Sequence, residues 1–224
     1  MKRYAIISCV LTNTVSSIYK NSATVGVELV AKKLYNEIKP KFGNNVSFIK
    51  PNATKEHILS EIRMVSNKLD SNGMLFFYFH GHGDTIDGRL YNDEKKDQVL
   101  VCTRNYLVDD TLDLYIRKFK PTQRILSIVD SCSSETVVEW SQYKWKSYPQ
   151  IIHISSSRDG DVAYAYTNGG ILSNKLAHLL YGGQYNNWTY EIMITRLKTL
   201  IPNRCYINKT PNVKNNFLKD KIFN

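Results

Sequence analysis

No stretch of this 224-residue chain approaches the roughly 20 consecutive apolar residues that a membrane-spanning helix needs, so no transmembrane segment and no membrane partner are expected. The four cysteines, Cys9, Cys102, Cys132 and Cys205, are scattered and form no CxxC pair. That spacing argues against a disulfide framework and a structural zinc site, and for a reducing, cytoplasmic setting. The chain also lacks an arginine-rich tract and any nucleic-acid-binding motif. Its formal net charge of +10 and its 15 tyrosines therefore read as a solvated basic surface and ordinary core and rim aromatics, not as a specific nucleic-acid groove. Internal repeats and low-complexity tracts are absent. The short apolar run Tyr4–Leu11 follows Lys2 and Arg3 as a signal peptide would, but no small-residue cleavage site closes it, and it reads as a buried first strand.

What is present is enough apolar material, 42% of residues, for one sizeable core, and a single domain over 1–224 is expected. Strand-like and helix-like segments alternate. Tyr4–Leu11, Val46–Lys50, Met74–Phe79, Ile125–Asp130, Ile151–Ser155 and Arg204–Ile207 read as strands. Helices are predicted over Ala23–Ile38, stopped by Pro40, then Thr54–Leu69 with Thr54 as cap, Asp109–Phe119, a short one over Ser134–Trp145, Ile171–Tyr181 and Trp188–Leu200. Gly83–Asp97, with five acidic residues, reads as a loop. Near-continuous apolar strands separated by helices imply a mostly parallel sheet covered on both faces, with its chemistry at the carboxyl ends of the strands.

Two of those strand ends carry reactive side chains. FFYFHGHGD ends at His80, Gly81, His82, Gly83 and Asp84, and RILSIVDSCSS ends at Asp130, Ser131, Cys132, Ser133 and Ser134. A thiolate and an imidazole delivered from neighbouring strands are the nucleophile and proton shuttle needed to cut an amide bond. The His-x-His spacing of His80 and His82 also occurs in zinc sites, but no further ligands stand at a convincing spacing. His57, His153 and His178 have no partner readable from sequence and are taken as structural or surface residues.

His-Gly after one apolar strand and Asp-x-Cys after another, 50 residues later, resemble the caspase-like cysteine peptidases and, within them, the metacaspases. Tyr91–Cys102, Leu107–Ile116, His153–Tyr166, Gly169–Leu180 and Asn208–Phe217 are similar to further metacaspase blocks, in order. The resemblance implies a caspase-like three-layer α/β/α sandwich, one peptidase domain without a long prodomain, and a monomer. It makes His82 the catalytic base and acid, Cys132 the nucleophile, and the backbone N–H groups of Gly83 and Cys132 the oxyanion donors. Asp130 would line a pocket for the basic Arg or Lys preceding the cut in a peptide or protein substrate. A calcium site is implied at Asp97, Asp109, Asp110 and Glu139, the last standing where the family usually has Asp. Asp109 and Asp110 also suit a helix start, where carboxylates oppose the dipole.

Departures from the family bear on specificity. His80 replaces a serine of the pocket, where its bulk narrows the space and a positive charge would oppose a basic side chain. Asn21–Val27 lacks a second pocket acid. These two features sustain an alternative reading, a weak or inactive caspase-like homologue with a regulatory or binding role. Lys144 and Lys146, within Tyr143–Ser147, offer a place for self-cleavage.

Overall fold

The computed structural model describes residues 1–11, 26–49, 53–87, 96–138 and 145–223. Its centre is a six-stranded sheet in the order β11-β8-β7-β3-β1-β2, formed by β1 (Arg3–Cys9), β2 (Val46–Ile49), β3 (Met74–His80), β7 (Arg124–Asp130), β8 (Gln150–Ser155) and β11 (Tyr206–Lys209). All pairings are parallel except β11 against β8. The all-buried strand β3, MLFFYFH, shows why: a parallel strand with helices on both sides has no solvent face and so needs no polar alternation.

Successive residues of β3 serve two separate cores. Met74, Phe76 and Tyr78 join Ala5 and Ile7 of β1 beneath α1 (Val27–Phe42), α4 (Ile171–Leu180) and α5 (Tyr190–Leu200). Leu75, Phe77 and Phe79 join Ile6, Ile125 and Val129 beneath α2 (Lys55–Lys68) and α3 (Asp109–Ile116). The result is the expected three-layer α/β/α sandwich.

Several boundaries differ from the sequence reading. Helix α1 runs through Pro40 to Phe42, the proline giving up its own N–H bond without ending the helix; Gly43, at φ 58°, ends it by donating to the Lys39 carbonyl at 2.8 Å. The segment predicted as a loop instead begins with β4 (Gly83–Asp87) and ends in β5 (Lys96–Val101), which with β6 (Tyr106–Val108) builds a small antiparallel sheet. Its polar strand β4 is half-buried, so hydrophobic content did not reveal it. Ser134–Val138, expected to open a helix, is irregular and bent, since Val137 and Val138 are drawn down into the α2/α3 core. A two-residue ladder, β9 (Ala165–Tyr166) with β10 (Gly169–Gly170), and the short α6 (Asn215–Lys219) were not foreseen. Thr54 caps α2 as expected, its hydroxyl oxygen accepting from His57 N at 3.3 Å.

The carboxyl end of the described chain is stapled into the α1/α4 core. Phe223 is 1% exposed and meets Phe42, Phe76, Tyr185 and Tyr190 edge-on, at centroid distances of 5.2, 5.4, 5.9 and 6.4 Å, while Arg3 donates to its carbonyl. Phe223→Ala is expected to lower unfolding stability by about 3–5 kcal/mol, read from urea denaturation. A loss under about 1 kcal/mol would show that this ring is not part of the core.

Candidate active site

In-register pairing lines up three strand ends. Cys9 of β1 lies beside His80 of β3, which lies beside Asp130 of β7. Each strand then continues off the sheet, so His82 and Cys132 start their turns from the same edge, two residues beyond His80 and Asp130.

His80 and Asp130 turn toward α4. An Asp130 carboxylate oxygen accepts from Ser173 N at 2.8 Å, capping the helix, and a side chain at Gly170 would stand 2.1 Å from that oxygen, so only glycine admits the contact. His80 Nε2 accepts from Gly170 N at 3.1 Å, which puts the ring proton on Nδ1, a buried atom with no partner among the described residues. Burial lowers the His80 pKa; Asp130 opposes the shift and His82 adds to it. The ring is therefore neutral at physiological pH, and the positive charge that would oppose a basic side chain is not there.

The nucleophile turn is held by its own carbonyl. The Ser131 carbonyl accepts from three hydroxyls, Ser134 at 2.7 Å, Ser157 at 2.9 Å and Ser156 at 3.2 Å. Ser133, directly after the cysteine, has φ +45°, a left-handed conformation costing a non-glycine residue about 1 kcal/mol or more. Its N–H bonds the Asp161 carbonyl at 3.0 Å and its hydroxyl accepts from Gly160 N at 3.3 Å, which holds that conformation in place.

Cys132 is half-buried, and its Sγ accepts from Ala163 N at 3.2 Å. Burial raises its pKa most; the Ala163 amide pulls it down, while the Asp130 and Asp84 carboxylates push it up. In the resting site it is a thiol, and a base would be needed to make it a nucleophile. Cys9, Cys102 and Cys205 are buried thiols each pushed to about 12, as suits inert packing residues.

The histidine segment closes directly onto this turn. A Cβ at Gly83 would lie 2.0 Å from the Cys132 carbonyl oxygen and 2.8 Å from Ser131 Oγ, so the two backbones touch and only glycine fits. His82, the preceding residue, is half-buried, and its carbonyl is tied to β5 through Val101 N at 3.0 Å. Together the residues form a thiol with a backbone donor at its sulfur, a histidine on the adjoining segment, and glycine-lined backbone between them.

Of the expected cation ligands, Asp97, Asp109 and Asp110 gather with their oxygens within 4.8 Å of one another, on β5 and the first turn of α3. Asp109 accepts from Gln98 N at 2.7 Å and Asp110 N at 2.8 Å, yet burial and the flanking Asp97 and Asp110 lift its pKa to about 7. Glu139 and Lys144 lie outside the described residues; Lys146 is exposed on a 3-10 turn, Trp145–Ser147, before β8. The sequence reading missed the Ala163 amide and the serine hydroxyls on Ser131, because a backbone donor leaves no mark on residue identity.

Asp84→Asn removes one of the two carboxylates that push the Cys132 thiol up. The midpoint of Cys132 alkylation against pH is therefore expected to move to lower pH. An unmoved or raised midpoint would show that Asp84 does not act on the sulfur.

The caspase domain family matches residues 26–223. Metacaspase-1 of Plasmodium falciparum is 23% identical over 191 residues, covering 76% of this chain and 31% of that protein. The chain spans only 22%, 31% and 20% of the lengths of the curated metacaspases it matches. Among solved structures, a Geobacter sulfurreducens protein superposes with a TM-score of 0.77 at 18% identity, covering 100% of this chain and 98% of the other. Caspase-1 of Spodoptera frugiperda superposes at 0.66 and 15% identity, covering 93% and 86%. With the family matched across most of its length, the chain belongs to the caspase domain family, and the curated proteins named above that it resembles are metacaspases.

Proposed function

We propose that the protein is a metacaspase-like cysteine endopeptidase acting through Cys132 and His82. The observation that carries the reading is the contact of Gly83 with the Cys132 carbonyl, which sets the histidine segment against the nucleophile turn. His82 removes the Cys132 thiol proton as sulfur attacks the peptide carbonyl, then returns it to the leaving amine. It next activates water to release the acyl group from sulfur. Backbone N–H groups of Gly83 and Cys132 hold the negative oxygen of the tetrahedral intermediates. A thiol whose pKa burial has raised suits this base-assisted course, in which the proton leaves as the bond forms.

Cleavage after Arg or Lys is the proposed specificity. Asp130 supplies the carboxylate, and a neutral His80 raises no charge against a guanidinium or ammonium. The same raised Cys132 pKa supports the second reading, a weak or inactive homologue. Hydrolysis of fluorogenic peptides ending in Arg, Lys or Asp, with calcium or chelator, separates the two when intact protein is compared with Cys132→Ala. Turnover after Arg or Lys that disappears in the variant is the expected outcome. No turnover on any peptide, with Cys132 inert to an alkylating probe, favours the second reading. Mass spectrometry of the same samples reports self-cleavage, proposed at exposed Lys146 or at Lys144.

The acidic cluster fits a hard divalent cation, and calcium is the proposed one. Burial first, and the two neighbouring carboxylates with it, raise the Asp109 pKa, and a bound cation would offset both by giving the charged carboxylate a partner while tying β5 to α3. Because folding raises the Asp109 pKa, the native chain keeps a proton that the unfolded chain has released between about pH 4 and pH 7. Without a cation its contribution to stability thus falls as pH rises through that window. Millimolar calcium is expected to raise Tm more at pH 8 than at pH 5, where the proton competes, and Asp109→Asn should remove most of the increment. An equal increment at both pH values would count against binding there.

A further inference from the structure

One polar side chain lies where the fold otherwise buries apolar ones. His153 of β8 is 0% exposed and points, like Ile151, to the α2/α3 face, among Ile125, Val129, Val137 and Val138. An aliphatic residue would fill that layer without the cost of desolvating an imidazole. What the imidazole adds is a bridge. Its Nε2 stands 2.8 Å from the Ser134 carbonyl and its Nδ1 stands 3.0 Å from Ser127 Oγ, the residue beside it on β7. A carbonyl only accepts, so Nε2 carries the proton and Nδ1 accepts from the Ser127 hydroxyl. Burial pushes the ring down to about 4 against the pull of the Ser134 carbonyl, so this neutral tautomer persists at neutral pH.

The bridge ends two residues past the nucleophile. Beyond Cys132 the chain leaves the sheet edge and descends over the α2/α3 face, where Val137 and Val138 are buried. His153 takes the first carbonyl of that descent, at Ser134, and Asn208, its neighbour on β11, takes the next, at Glu135, 2.9 Å from its side-chain nitrogen. Ser134 in turn donates its hydroxyl back to Ser131. The cysteine therefore sits inside a closed loop of hydrogen bonds, one side of which is anchored in the sheet by an imidazole.

We propose that His153 is the positioning residue of the nucleophile turn: by donating from Nε2 to the Ser134 carbonyl it fixes the chain beyond Cys132 and holds the sulfur at the Ala163 amide. The proposal rests on Cys132 being the nucleophile, and its test includes a readout that does not.

His153→Leu keeps the apolar volume and loses the donor. His153→Asn keeps a polar group that ends short of Ser134, and His153→Gln places an amide N–H close to where Nε2 stood. In the Leu and Asn variants kcat is expected to fall by about 10- to 100-fold with KM within about twofold, because the reacting sulfur and not substrate binding is displaced. The pH midpoint of Cys132 alkylation should rise as the Ala163 contact loosens. Amide hydrogen exchange across 131–136 should quicken about tenfold, because the opening no longer has to break that hydrogen bond. The Gln variant should return all three toward wild type. Leu and Asn variants that fold, judged by thermal transition, and keep wild-type exchange and alkylation would overturn the proposal. If Leu does not fold, the Asn and Gln pair decides. If the wild-type protein turns over no peptide, the peptidase reading fails, and the exchange comparison alone settles whether His153 holds the turn.

Discussion

The contact on which this site depends is backbone against backbone: Gly83 pressed to the Cys132 carbonyl, with no room for a methyl group between them. Two turns from different strands meet at that distance only if the strands themselves are in register. The pairing of β3 with β7 from Met74↔Arg124 to His80↔Asp130 supplies that register over seven consecutive residues. A slip of one residue would exchange the two cores, sending Phe77 and Phe79 to the α1/α4 side, and would also misalign His82 and Cys132. Apolar packing on two faces and the chemistry at the sheet edge are thus specified by the same alignment.

Around that contact, the polar groups divide by the face they occupy. Toward α4, Asp130 and His80 accept backbone amides from Ser173 and Gly170, so the helix start is bound to the two strand ends that precede the reactive residues. Tyr78, one step deeper, donates to Ser173 Oγ at 2.7 Å and continues the same seam. Toward α2 and α3, Ser127 and His153 reach up to Ser134. Cys132 emerges between these two networks, and neither network holds it by its own side chain. The Ala163 amide does that, from a loop whose Asp161 carbonyl in turn takes the Ser133 N–H.

Most of the scaffold was legible because apolar runs and helical periods report burial, which decides the main sheet. β3 and β7 read correctly within one residue, and His82 and Cys132 fall at one edge because each directly follows a strand of a mostly parallel sheet. The failures share a cause. Strand β4, GDTID, is half-buried and mostly polar, so its identity comes from pairing with β5 and not from its own composition. Pro40 was read as a stop, but its effect depends on how many turns follow it. Ser134–Val138 was read as helical, while the descent of Val137 and Val138 into the core and the hydrogen bonds at Ser134 and Glu135 impose another path. His153 was set aside for want of a sequence partner, since Ser127 and Ser134 become its neighbours only through sheet register.

The electrostatics of the site favour a thiol over a thiolate at Cys132. Burial most of all, and the Asp130 and Asp84 carboxylates with it, disfavour a thiolate at Cys132, and burial disfavours charge at His80. Both effects keep the Cys132 sulfur and the His80 ring neutral, and a neutral thiol costs less to desolvate than a thiolate. Under the proposed mechanism the proton leaves as sulfur attacks, which makes the placement of sulfur relative to His82 more consequential than the thiol pKa. That is why so many groups restrain a four-residue turn: three hydroxyls on one carbonyl, a left-handed serine held at both its N–H and its hydroxyl, and a buried imidazole beneath. A site relying on a preformed thiolate would tolerate a looser turn; one that ionises on demand requires geometry first.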